Sequence, residues 1–169
     1  MIKTVLLTGT LFCFLGFNSN AEAACYADYK AKIKDFDKIS YEFKKYGTIF
    51  PHIRSDYLKR QIKNKNVIFE NGVILIFNKY KRRGKLGTTE YNKGDVIIHQ
   101  ILNSKVGNGN ASRVFKKFCS LTTKCRLLLT VRSSNRLARR FYERQNMKIE
   151  GDISWKNNTI GGKIYAINV

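Results

Sequence analysis

The chain contains only two histidines, His52 and His99. His99 lies inside an apolar run, residues 96–102, that reads as a buried strand. An imidazole with an ordinary pKa of about 6.5 can accept a proton near neutral pH. Flanked by Ile97 and Ile101 on one strand face, His99 is equally suited to being a hydrogen-bonded core residue. The run stops at Asn103, and a loop follows that carries Gly107, Asn108, Gly109, Asn110 and Ala111. A helical pattern after it puts Ala111, Val114, Phe115 and Phe118 on one face. Glycines at a helix N-terminus let the backbone approach a ligand closely. The unpaired N–H groups and the helix dipole there favour an anion such as a pyrophosphate. The same Gly-Asn-Gly-Asn is also an ordinary turn sequence.

These residues must be held by a strand, a helix and a second strand. Residues 127–131, Leu-Leu-Leu-Thr-Val, supply that second apolar run, and a helical crossover between the two lets them lie parallel in one sheet. A further helix follows, on which Leu137, Ala138, Phe141 and Tyr142 share one face while Arg136, Arg140 and Arg144 recur every four residues on another. That basic stripe suits coenzyme phosphates, an acidic partner or plain solvent.

Leu129, Val131, Asn135, Ala138, Phe141 and Tyr142 fall without a gap into the pattern Leu-x-Val-x-x-x-Asn-x-x-Ala-x-x-Phe-Tyr. With Gly109 and Ala111 in the loop, the stretch resembles the GNAT acyl-CoA N-acyltransferase superfamily. The family's coenzyme loop reads Gln/Arg-x-x-Gly-x-Gly/Ala, and here Val106 stands in place of the Gln or Arg. Asn146-Met147 replaces the Gly-Phe that closes the second motif. Val106 cannot hydrogen-bond a phosphate through its side chain, so such a loop would rely on backbone N–H groups, aided by Lys105 or Arg113.

The resemblance covers nearly everything from Tyr29 onward, and residues 29–39 resemble the family's opening strand and helix. It implies acetyl-CoA as co-substrate, bound where the two central strands part. The pyrophosphate would lie over Gly107, Asn108, Gly109, Asn110 and Ala111, and the pantetheine along Ile98 to Leu102. It further implies transfer to an amine, on a small molecule or a protein, through a ternary complex and without a metal. Tyr142 matches the family's frequent general acid and would border the coenzyme. Asn135 would contact the coenzyme as well as start its helix. Because the family often recruits a base from this strand, His99 is the candidate for that role.

The rest of the chain is read from composition and pattern. Lys and Arg number 32 against 12 Asp and Glu, giving a formal charge of +20, a field that attracts coenzyme phosphates, nucleic acid or a membrane surface alike. A catalytically inactive module of this fold that holds nucleic acid or another polyanion is therefore the alternative to an enzyme. Asp35 caps a helix bearing Phe36, Ile39 and Phe43 that ends near Gly47. After the single proline, Pro51, a second helix carries Ile53, Tyr57, Leu58 and Ile62, and the resemblance sets His52, Arg54 and Tyr57 at the edge of an acceptor site. Asn71-Gly72 between apolar runs signals a hairpin. The basic stretch 79–85 reads as a strand end and solvated loop, with Tyr80 and Tyr91 as stacking surface for a polyanion. Two terminal runs, 148–155 and 162–169, suggest an antiparallel pair.

Residues 1–24 have the layout of a secretory signal: Lys3, an apolar stretch over 4–17, a polar 18–20 and Ala21-Glu-Ala23 at a cleavage position. The apolar stretch is short for a bilayer span, so removal of the leader leaves no transmembrane segment. Cys25, Cys119 and Cys125 then form an odd set without metal-type spacing, which points to free thiols rather than a disulfide framework. The leader points to export, whereas acetyl-CoA is a cytoplasmic metabolite. The expected architecture is a single α/β domain over 25–169, with a mixed, mainly antiparallel sheet and a central parallel βαβ unit. Expression in a bacterium is expected to yield a chain starting at or near Ala24, and intact mass spectrometry of the purified product checks this. A full-length chain retaining Met1 would remove the signal reading.

Overall fold

Asn71 and Gly72 adopt φ of 51° and 79°, the left-handed pair that a two-residue hairpin turn requires. They join β1 (Val67–Glu70) to β2 (Val73–Lys79) in antiparallel register. The computed structural model describes residues 29–47, 50 and 53–169. The leader, Cys25 and His52 lie outside the described residues. Ahead of the hairpin, a 3₁₀ turn at Ile33–Asp35 leads into α1 (Phe36–Lys45), and α2 (Ser55–Lys63) follows. The Asp35 carboxylate accepts a hydrogen bond from the Lys32 N–H at 2.8 Å and so fixes the entry to α1.

Beyond β2 come β3 (Gly84–Leu86), β4 (Thr89–Tyr91), β5 (Val96–Asn103), α3 (Asn110–Leu121), β6 (Arg126–Arg132), α4 (Arg136–Arg144), β7 (Lys148–Trp155) and β8 (Ile160–Asn168). Six strands form one sheet in the order β1-β2-β5-β6-β8-β7. Only β5 and β6 are parallel, with α3 as their crossover; the other pairings are antiparallel. This is the expected mixed α/β architecture.

Strand alternation sorts side chains onto two buried faces. Leu75, Phe77, Ile98, Leu127 and Leu129 pack against Val114, Phe115 and Phe118 of α3 and Tyr142 of α4. On the opposite face Ile74, Ile76 and Leu102 meet Ile39 and Phe43 of α1 and Leu58 and Ile62 of α2. Each fully buried side chain of this size contributes roughly 1.5–3 kcal/mol of transfer free energy. Among the described residues no helix is long and apolar enough to cross a membrane.

Three expectations change. The basic stretch after β2 is not simply a loop, because β3 and β4 pair as a second hairpin. Tyr80, Leu86 and Tyr91 from that region cover Ile97, Leu128, Ile164 and Ala166. Tyr80 and Tyr91 stack on each other with ring centroids 4.5 Å apart, so much of the aromatic surface expected for a polyanion is spent on internal packing. Leu137 is 81% exposed, whereas Ala138, Phe141 and Tyr142 of the expected apolar face pack against the core. Cys119 and Cys125 are free, and burial raises the Cys119 thiol to about 11, which keeps it protonated and unreactive.

The two departures in the second motif are resolved by the end of α4. Asn146 takes φ 62°, and its N–H donates to Glu143 O at 3.0 Å while the Met147 N–H donates to Tyr142 O at 3.1 Å. This is a Schellman ending in which Asn supplies the left-handed residue that Gly usually provides. Met147, 3% exposed, fills the core in place of an aromatic ring. Asn146→Gly is expected to leave stability unchanged or slightly higher. Asn146→Val should lose about 1–2 kcal/mol, since a β-branched residue resists this backbone; urea denaturation of the two variants tests both.

Candidate functional site

The β5–β6 register runs only from Val96↔Leu127 to Ile98↔Leu129, although β5 continues to Asn103 and β6 to Arg132. Beyond Ile98 the two central strands part, leaving backbone N–H and C=O groups along their facing edges. On its other side β5 stays paired to β2, but the register passes from Ile76↔Gln100 to Phe77↔Ile98. His99 is the extra residue of a β-bulge, which bends the strand and raises its local twist. The bulge also changes the phase of the alternation. Ile97 remains on the face covered by the second hairpin, whereas Ile101 packs on the α3/α4 face. The two isoleucines therefore do not flank His99 on one face as the simple period predicted.

The parted strands open into a cleft of about 840 Å³. Its floor is Ile98, Leu129 and Val131, and its walls include His99, Asn135 and Tyr142. Tyr142 is 9% exposed and packs by its ring against Phe115 and Tyr165, with centroids 6.1 and 6.2 Å away. Burial raises its pKa well above the ordinary phenol value, so the hydroxyl keeps its proton through any physiological pH. The neighbouring Tyr165 hydroxyl donates to Glu143 at 2.9 Å and accepts from Arg139 Nε at 3.3 Å. Asn135 caps α4 by accepting the Ala138 N–H at 3.0 Å through Oδ1, which leaves its amide NH₂ beside the cleft.

His99 is held from behind. Asn66 Nδ2 donates to Gln61 Oε1 at 3.0 Å and to Asn78 Oδ1 at 2.6 Å. Asn78 Nδ2, its oxygen already engaged, donates to His99 Nε2 at 2.9 Å. This polarity makes Nε2 the acceptor and puts the imidazole proton on Nδ1. Although the side chain is open to the cleft, desolvation by the surrounding walls lowers its pKa below 6.5. A proton arriving at Nε2 requires Asn78 to turn its oxygen toward the ring, and the reversal passes on to Asn66 and Gln61.

At the far end of β5 the loop lies at the start of α3. Gly107 and Gly109 have φ of 98° and 66°, and a Cβ built on either meets nothing within 4 Å. Gly109 is the N-cap of α3 and no side chain caps it, so the first-turn N–H groups are free to meet an anion. Asn108 is exposed and Ala111 half-buried. Asn110 is committed elsewhere: its Nδ2 donates to Asn71 O at 3.3 Å and its Oδ1 accepts from Arg113 at 3.1 Å. Leu102, 4% exposed, faces the α1/α2 core, so only its backbone is available to a ligand. Val106 is 83% exposed. Among the other candidates, Arg54 pairs with Asp56 at 2.9 Å, and Tyr57 is half-buried in the α1/α2 core.

Sequence reasoning did not find Gln61, Asn66 and Asn78, because scattered amides carry no periodic signal. It also missed Trp155, Lys156 and Ile160, which wall the cleft from the β7–β8 turn.

No protein-family model matches the chain, and no curated protein does. Solved structures match it over most of its length. An acetyltransferase of the GNAT family from Bacillus cereus is 15% identical, with TM-score 0.62 over 82% of this chain and 94% of that one. Arabidopsis thaliana NAA60, solved with acetyl-CoA, is 11% identical, with TM-score 0.61 over 83% and 97%. Arabidopsis thaliana Naa50, solved with the bisubstrate analogue CoA-Ac-MVNAL, is 16% identical, with TM-score 0.59 over 83% and 96%. The chain has the GNAT fold.

The hydrogen-bonding polarity gives a spectroscopic expectation. Nitrogen-detected NMR should show His99 neutral at pH 7 as the Nδ1–H tautomer, with a pKa below 6.5. Asn78→Asp should raise that pKa, because a carboxylate beside Nε2 favours the imidazolium. An unshifted or raised pKa in the unmodified protein would contradict the environment described.

Proposed function

We propose that the protein transfers an acetyl group from acetyl-CoA to a primary amine, with both substrates held in one ternary complex. The parting of β5 and β6 carries this reading. It creates unpaired backbone edges that lead, along β5, to a glycine loop and an uncapped helix N-terminus. A pantetheine arm can bond to such an edge as a strand would, and a pyrophosphate suits the free N–H groups of α3 and the open space over Gly107 and Gly109. Asn108 and Ala111 contribute backbone there, as does Asn110, whose side chain is turned inward. Leu102 contributes backbone only. Solved structures of this fold with acetyl-CoA and with a CoA-peptide analogue support the assignment.

Acetyl-CoA supplies an activated thioester when bound. The protein's own residues orient, exclude water and manage protons. Tyr142, protonated and aimed into the cleft from a rigid aromatic cluster, is placed to donate to a leaving sulfur. His99, neutral at working pH, is the candidate to receive the amine's proton at Nδ1, which requires Asn78 first to turn its oxygen toward Nε2 so that the imidazole proton sits there, with Asn66 and Gln61 resetting behind it. Asn135 holds the start of α4 and offers its NH₂ to the coenzyme. No step uses a metal.

Calorimetry of the purified protein with acetyl-CoA tests the reading, and saturable binding is expected. Gly109→Val should weaken that binding by about tenfold or more, because the side chain enters the space the pyrophosphate needs and strains a left-handed backbone. Tyr142→Phe should retain coenzyme affinity while losing most turnover. Undetectable binding at millimolar acetyl-CoA would overturn the proposal.

A further inference from the structure

One wall of the cleft is built by the β7–β8 turn. Lys156, Asn157 and Asn158 take φ of 50°, 52° and 67°, three successive left-handed residues without a glycine among them. Such a backbone persists only when its surroundings hold it. Here Thr159 closes the turn, its N–H and hydroxyl both donating to Lys156 O at 3.2 and 2.8 Å, and Ser154 bonds to Asn158. The turn thus fixes Trp155 and Lys156 at the cleft rim, with Ile160 beside them and Phe50 and Arg132 also on the lining.

The charges on this lining are one-sided. Arg132 and Lys156 contribute cations, and no Asp or Glu appears among the described lining residues. Both cations are exposed, and the ion pairs among the described residues engage Arg54, Lys117, Arg126 and Lys163 instead. On the elements bordering this lining, Asp152 pairs with Lys163 and Glu143 accepts from Tyr165. The whole molecule reinforces the local sign at +20.

We propose that the acceptor of this site is an α-amine carrying carboxylates, held by Lys156 and Arg132 with its apolar portion against Trp155 and Ile160. The inference rests on the acetyl-transfer reading and names the substrate class of that same site. A polycationic acceptor, such as a lysine-rich tail or a polyamine, would enter a cleft with cations on its rim and no counter-charge. The same field favours the neutral form of a bound amine. The α-amine of a peptide chain, with an ordinary pKa of about 7.7–8.0 against about 10.4 for a lysine side chain, reaches that form with far less help from a base. This demand suits a histidine whose own pKa is low.

The test uses the purified protein, acetyl-CoA and a thiol-release assay over four acceptors: free glutamate, a peptide beginning with acidic residues, a neutral peptide of the same length, and a lysine-rich peptide. The acidic α-amines should be the preferred acceptors, with kcat/KM about tenfold or more above the lysine-rich peptide. Glutamate against the acidic peptide tells whether the carboxylates come from a free amino acid or from a chain. Lys156→Glu should raise KM for the acidic acceptor about tenfold and narrow or invert the preference, with acetyl-CoA affinity by calorimetry unchanged. Preference for the lysine-rich peptide, an unaltered ranking in Lys156→Glu, or coenzyme binding with no turnover of any acidic acceptor would each overturn the proposal. Absence of acetyl-CoA binding would instead remove the reading on which it rests.

Discussion

Three residue pairs hold the middle of this sheet together. The parallel ladder between β5 and β6 ends at Ile98↔Leu129, and nearly every feature of the candidate site follows from that ending. Continued pairing would close the cleft and satisfy the backbone edges internally. The bulge at His99 lies immediately beyond the last pair, where it bends β5 away from its neighbour and turns an imidazole toward the opening. Ile98, Leu129 and Val131 line the gap and belong to the same packed cluster as Phe115 and Phe118 of α3, so the gap has a rigid apolar floor.

Around this opening, polar groups arrive from separate elements by distinct local rules. The left-handed Gly109 starts α3 without a side-chain cap, which leaves its first-turn N–H groups without a side-chain acceptor. Asn135 starts α4 with a conventional cap and thereby sets the helix that brings Tyr142 inward. The amide series from Gln61 to His99 links α2, the entry to β1, and β2 to the bulge. One helix start is left open and the other is closed by a side chain.

Much of the architecture was legible in the sequence because it rests on period and turn chemistry. Asn71-Gly72 marked the first hairpin, and the apolar spacing over residues 111–118 marked α3. The run from Leu129 to Tyr142 carried the family pattern without interruption. The bulge was not legible, because an unbroken Val-Ile-Ile-His-Gln-Ile-Leu gives no sign of which residue drops out of register. The β3–β4 hairpin was hidden by three-residue strands amid arginines and lysines, joined through Gly87 rather than a strong turn dipeptide. Asn146 and Met147 looked like losses from a motif, yet the backbone needed a left-handed conformation and a buried apolar volume, and each residue meets one of those needs. Leu137 misled for the opposite reason: helical period says which way a side chain points, not whether anything stands over it.

The short central ladder also has a mechanical consequence. The sheet consists of two three-stranded leaves, β1-β2-β5 and β6-β8-β7, stitched by a seam far shorter than the pairings within each leaf. Such a seam concentrates any breathing of the core at the cleft, since local opening takes the path with the fewest backbone bonds to release. A molecule bonded to both parted edges acts as a rivet across the leaves, and its binding free energy is added to the cohesion of the fold. Amide exchange along Ile98 and Leu129 therefore reports occupancy of the cleft from within the scaffold itself.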